Sequence, residues 1–160
     1  MKTESTGPEA GRIAQTLREA YAGPAWHGPA VREILREITP GQAAGRPIPG
    51  AHSIWEIVLH MTAWRQFVWH KLAGDPAFDL ASPEQDWPAV GNDSLPAWEA
   101  ALTALEKSQG QLLQALESLP DARLAETVPG RDYSYYKLLH GIIAHDLYHG
   151  GQIVLLKKMR

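Results

Sequence analysis

Apolar residues recur along this chain every three to four positions, the period of α-helices that bury one face, while the alternating β-branched runs of strands are missing. The pattern predicts an all-α protein. A first helical stretch spans residues 8–22, breaks at Gly23-Pro24, and resumes over residues 29–38 until Thr39-Pro40-Gly41 ends it. Proline and glycine exclude regular structure over residues 45–50, and Ser53-Ile54-Trp55-Glu56 then has the spacing of a capping box that opens a second helix. That helix runs to about residue 73 and carries Ile57, His60, Met61, Trp64 and Val68 on one side. Residues 74–92 hold Pro76, Pro83 and Pro88 with few helical signals, and read as a long loop suited to be a lid. A third helix starts near Asp93 or Ser94 and stops at Pro120, weakened locally by Gly110. A fourth covers residues 134–158, and Lys157, Lys158 and Arg160 place favourable charge at its C-terminus. The expected architecture is a four-helix bundle with an interrupted N-terminal helix and long connecting loops.

Length and charge narrow this picture without changing it. The 160 residues suffice for one domain, residues 1–160, with one sizeable core. A net charge of −3, dispersed along the chain, offers no basic face for phosphate backbones, so a nucleic-acid partner is not expected. The opening MKTESTGPEAGR lacks the apolar core of a signal peptide, and no apolar run is long enough to span a bilayer. We expect a cytoplasmic protein without a membrane partner. Cysteine is absent, so disulfides, zinc–thiolate sites and thiol nucleophiles are excluded. Any bound metal must be held by nitrogen and oxygen.

Candidate chemistry centres on His145 and His149, four residues apart in the last helix, where one turn brings both rings to the same side. With seven histidines in the chain such a pair arises by chance in roughly one sequence in four, so spacing alone decides little. Its setting adds weight. Leu138, Ile142, Gln152 and Leu156 share the face of His145 and His149, and two imidazoles buried together are costly without a shared partner such as a cation. In a bundle, His60 of the second helix can converge with them. On pattern alone a metal ligand and a hydrogen-bonded core histidine are equally good readings of His60.

Three segments carry a family resemblance: Trp26-His27-Gly28-Pro29; the stretch from His52 through Ser53-Ile54-Trp55-Glu56 to His60, with Trp64-Arg65; and the run from His140 through His145-Asp146-Leu147-Tyr148-His149 to Ile153. Through them the chain resembles the DinB-like superfamily, metal-binding four-helix bundles that include the YfiT-like group, over nearly its whole length. The resemblance implies a divalent ion, zinc or nickel, bound by His60, His145 and His149. Relatives include transferases and isomerases that use bacillithiol, mycothiol or glutathione, so it also implies a small-molecule substrate and a low-molecular-weight thiol as partner.

Around these three, Glu56 is a candidate general base that already has a structural task in the capping box. Asp146 lies about 100° around the helix from its neighbour His145 and is expected to meet solvent or to orient another group. Gln152 can hydrogen-bond a ligand imidazole or simply pack. His27 belongs at the mouth of the site if the Trp-His-Gly-Pro turn brings it there, whereas His52, His70 and His140 read as structural or exposed. Trp55, Trp64, Trp69 and Trp98 suit core packing, and Trp87 in the long loop can close over a pocket. Gly150-Gly151 permits close packing, within the bundle or in a homodimer. The function expected is metal-dependent thiol transfer or hydrolysis of a small electrophile, with no catalytic residue singled out. The alternative is a non-catalytic, metal-binding, stress-associated dimer.

Overall fold

Four long helices pack together in the computed structural model, which describes residues 8–159: α1 (Glu9–Ala22), α4 (Ile54–Leu72), α6 (Leu95–Glu117) and α7 (Tyr135–Lys158). Three short helices, α2 (Val31–Leu35), α3 (Pro40–Ala44) and α5 (Pro83–Asp86), and a 3-10 turn at Asp121–Ala125 occupy the connections. Among the described residues no helix is long and apolar enough to cross a membrane.

Each long helix after the first begins where a serine accepts a backbone hydrogen bond from the third residue beyond it. Ser53 caps α4, Ser94 caps α6 and Ser134 caps α7. At α4 the box is complete, because Glu56 Oε2 accepts from Ser53 N at 2.7 Å. Lys157 and Lys158 lie in the last turn of α7, and Arg160 is outside the described residues.

Two expectations need correction here. The stretch 29–38 is helical only over Val31–Leu35, because Glu37 adopts a left-handed backbone with φ of 66° that turns the chain. Thr39-Pro40-Gly41 then starts a helix instead of ending one. Thr39 Oγ1 accepts from Gln42 N at 3.3 Å and Pro40 takes the first helical position, where its missing N–H costs nothing. The expected loop at residues 74–92 likewise contains α5, whose Ser82-Pro83-Glu84-Gln85 start is a capping box.

The core consists of two apolar clusters. Leu17, Phe67, Leu112 and Leu139 belong to one, and Trp55, Met61, Trp98 and Ile153 to the other. α4, α6 and α7 each pass from one cluster to the other, and at the change each carries a buried polar residue: Arg65, Gln109 and Asp146. Arg65 Nη2 donates to Asp146 Oδ2 at 2.6 Å and its Nε donates to Gln109 Oε1 at 3.1 Å. This polar layer fixes how α4, α6 and α7 meet, because a shift of any one would leave a buried charge unpaired. Asp146 therefore does not meet solvent as one reading of its phase suggested. α7 packs against α4, α1 and α2, so a position 100° from the ligand face still points into protein.

Candidate metal centre

His60 is presented by α4 and His145 and His149 by α7, and the Arg65–Asp146 pair sits next to them on both helices. The three imidazoles converge. His145 Nε2 stands 3.0 Å from His60 Nε2 and 3.1 Å from His149 Nε2, with His60 and His149 buried and His145 half-buried. The outer nitrogens fix the chemistry of the inner ones. His60 Nδ1 donates to the backbone carbonyl of Asp86 at 2.7 Å, and His149 Nδ1 donates to Gln152 Oε1 at 2.7 Å. Because a carbonyl oxygen only accepts, both rings carry their proton on Nδ1 and turn an Nε2 lone pair inward. His145 can donate one Nε2 proton to one of them, never to both. A cation in the middle takes the inward Nε2 lone pair of all three.

The donor set fits such an ion. Two nitrogens bound at about 2.0–2.1 Å with tetrahedral angles stand about 3.3–3.4 Å apart, so separations of 3.0 and 3.1 Å require little adjustment. Burial keeps the ligands neutral. It lowers His145 to about 3, helped by His149 and His60, lowers His149 to about 4 against the opposing bond from Gln152, and lowers His60 against the pull of Asp86. Neutral imidazole is the form that binds metal.

The sequence profile of the DinB superfamily matches residues 25–153. The chain belongs to the DinB superfamily. Comparison with curated proteins found no match, and comparison with solved structures found none either. The matched region contains His60, His145 and His149. What surrounds them in this DinB-superfamily protein is read from its own side chains.

The connection between α4 and α6 covers the histidines. Trp87 stacks on His60 with ring centres 3.8 Å apart, and His52 stacks on the other face of Trp87 at 3.6 Å, giving three parallel rings in a row. Asp86 anchors the cover twice: its carbonyl accepts from His60, and its Oδ1 accepts from Trp64 Nε1 at 2.8 Å. Asp86 was not among the expected residues, and His52, read as structural or exposed, is exposed and stacks on the cover. The box at Ser82-Pro83-Glu84-Gln85 signals a helix start that ends at Asp86, but a backbone acceptor leaves no trace in the side-chain pattern.

The remaining candidates fall away from the cluster. Glu56 has both oxygens engaged, Oε2 by Ser53 N and Oε1 by Arg46 Nη2 at 2.5 Å, which leaves it a structural role. His27 is exposed and borders a groove with Leu147 and Gly150 that none of the three histidines lines. His70 stacks on Phe78 and pairs with Asp75, and His140 is exposed. Trp55 and Trp98 are core, with Trp98 Nε1 donating to Ile38 O. Gly150 is buried against Ile34, while Gly151 is exposed.

Proposed function

We propose that His60, His145 and His149 bind one divalent ion, zinc or nickel, and that the protein uses it to act on a small electrophilic molecule by thiol transfer or hydrolysis. The observation that carries the reading is the pair of Nδ1–H donations to Asp86 O and Gln152 Oε1, which aims two lone pairs at the third imidazole. Three neutral ligands leave the ion's charge undiminished, so it supplies a Lewis acid that lowers the pKa of a bound water or thiol. The chain's own residues hold the site in shape. Trp87 shields His60 on one side, and the Arg65–Asp146 pair holds α4 against α7.

Two cavities reach the cluster. His145 opens onto one between α4 and α7, and His149 opens onto another bordered by His52, Trp87 and Gln152. Two separate approaches support transfer between two organic ligands, whereas hydrolysis asks for one substrate and water. The deciding experiment is elemental analysis of tag-free protein, beside a His60→Ala, His145→Ala, His149→Ala variant, followed by a turnover screen with low-molecular-weight thiols. Near-stoichiometric metal lost in the variant, with turnover that needs both metal and thiol, is the expected result. Folded protein that neither contains nor takes up metal would refute the reading.

A second reading, a non-catalytic metal-binding dimer, draws support from the exposed Leu147, Tyr148 and Leu155 on the outer side of α7. Its signature is metal-dependent association measured by light scattering, without turnover.

A further inference from the structure

We infer that the cavity between α4 and α7 is a substrate pocket for a small molecule with an apolar body and one anionic group, the anion held by Lys137 and the opposite end presented at His145. The first half of this statement rests on the chain's own surface, and the role of the His145 end rests on the metal reading above.

The cavity is about 280 Å³, at the small end of ligand pockets, and its walls are Trp64 and Val68 from α4 and Leu138 and Ile142 from α7. Along α7 it follows a single stripe, Lys137, Gly141 and His145, each one helical turn from the next. At 1.5 Å per residue the two ends of this stripe are about 12 Å apart along the axis. Its chemistry is graded from end to end: a cation, an apolar floor, then an imidazole of the candidate metal centre. Lys137 is the one charged residue in the lining, and no carboxylate shares the cavity with it. Its ammonium lies 5.7 Å from the centre of the Tyr133 ring, also in the lining, which steadies it at the rim.

Gly141 is the telling position. It sits inside α7, where glycine weakens a helix relative to alanine, yet a side chain there would meet no neighbouring atom within 4 Å. Packing therefore does not require glycine at this position. What its missing side chain does is leave the middle of the stripe open, so that one molecule can lie across it from Lys137 to His145. Lys137 is exposed and hydrated, so a neutral ligand gains nothing from it, whereas an anion gains a charge-assisted contact and a cation meets repulsion; the lining therefore favours an anion.

The test uses ¹⁵N-labelled full-length protein, zinc-loaded and zinc-free, titrated with phenylacetate and with 2-phenylethanol and 2-phenylethylamine as neutral and cationic counterparts. Phenylacetate is expected to bind most tightly and to move the amide resonances of Val68, Gly141 and Ile142. Lys137→Gln should weaken phenylacetate about tenfold and leave 2-phenylethanol unchanged. Gly141→Leu, a substitution that favours helix and meets open space, should abolish binding of all three while zinc content stays at the wild-type level.

The outcomes separate the two readings. Zinc bound in every variant, with phenylacetate shifts absent or indifferent to both substitutions, overturns the pocket and leaves the metal centre standing. Lys137-dependent phenylacetate binding in protein that never takes up zinc keeps the pocket and removes the metal. Equal binding of the amine and the acid overturns the anion selectivity.

Discussion

Arg65 on α4, five positions after His60, and Asp146 on α7, one position after His145, meet at 2.6 Å with both side chains wholly removed from water. The pair ties together the two helices that bring the histidines into register. Arg65 is further held by Gln109 Oε1 and Met61 O, whereas Asp146 Oδ1 has no partner among the described residues. Burial pushes the Asp146 carboxyl up to about 6 despite the opposing attraction of the guanidinium. Such a pair adds little net stability compared with apolar packing, but it penalises every misregistered arrangement.

Removing one partner should expose that penalty. Asp146→Ala leaves Arg65 buried and unpaired, and is expected to lower stability by about 3–5 kcal/mol, read from urea unfolding. The double variant Arg65→Met, Asp146→Leu should recover much of the loss and still bind metal more weakly, because the register of α4 on α7 is no longer specified. An unchanged unfolding midpoint in Asp146→Ala would show that the pair does not hold these helices.

Gln152 acts on the site through His149. Gln152→Leu removes the acceptor that keeps the proton on Nδ1, and metal affinity is expected to fall about 10–100-fold with helix content unchanged. Gln152→Glu, which still accepts, should keep or raise affinity. Competition with a chromophoric chelator measures both.

Trp87 should govern access more than affinity. With its ring 3.8 Å from His60 and 3.6 Å from His52, Trp87→Ala opens the covered side of the cluster. Metal release to excess chelator is expected to accelerate about tenfold, and amide exchange over residues 84–87 to speed up with it. Release at the wild-type rate would mean that metal leaves by the cavities beside His145 and His149.

The low histidine pKa values give the metal-free protein a definite pH dependence. In the unfolded chain His145 and His149 titrate near 6.5, whereas in the folded chain burial holds them at about 3 and about 4. Between those limits the unfolded chain binds more protons, so stability is full above about pH 6.5 and is lost as the pH falls towards 3. Asp146, raised to about 6, opposes this with one group between pH 4 and 6 and leaves the net slope positive. Urea midpoints of chelator-treated protein should therefore drop between about pH 7 and about pH 4.5, and the drop should vanish or reverse once the three histidines are alanine, because Asp146 then acts unopposed.

Much of this protein could be read along the chain. The helix starts at Ser53, Ser94 and Ser134 were visible because a cap is a local event, a hydroxyl answering an N–H three residues on. The shared face of His145, His149, Gln152 and Leu156 was equally legible, since helical phase is set by the backbone alone. Thr39-Pro40-Gly41 was read as a helix end and Pro83 as part of a loop, whereas a proline that follows Thr39 or Ser82 takes the first position of a new helix, where its missing N–H costs nothing.

The sequence by itself determined the helical class, the principal helix boundaries and the one-turn spacing of two histidines, all of which depend on neighbours within four residues. Only the tertiary structure decided that His60 meets them, that Asp86 offers its carbonyl, that Trp87 lies between His52 and His60, and that Asp146 is buried against Arg65. Those contacts join residues more than twenty positions apart. They follow from how four amphipathic faces share one interior, where a position turned away from one neighbour is turned towards another.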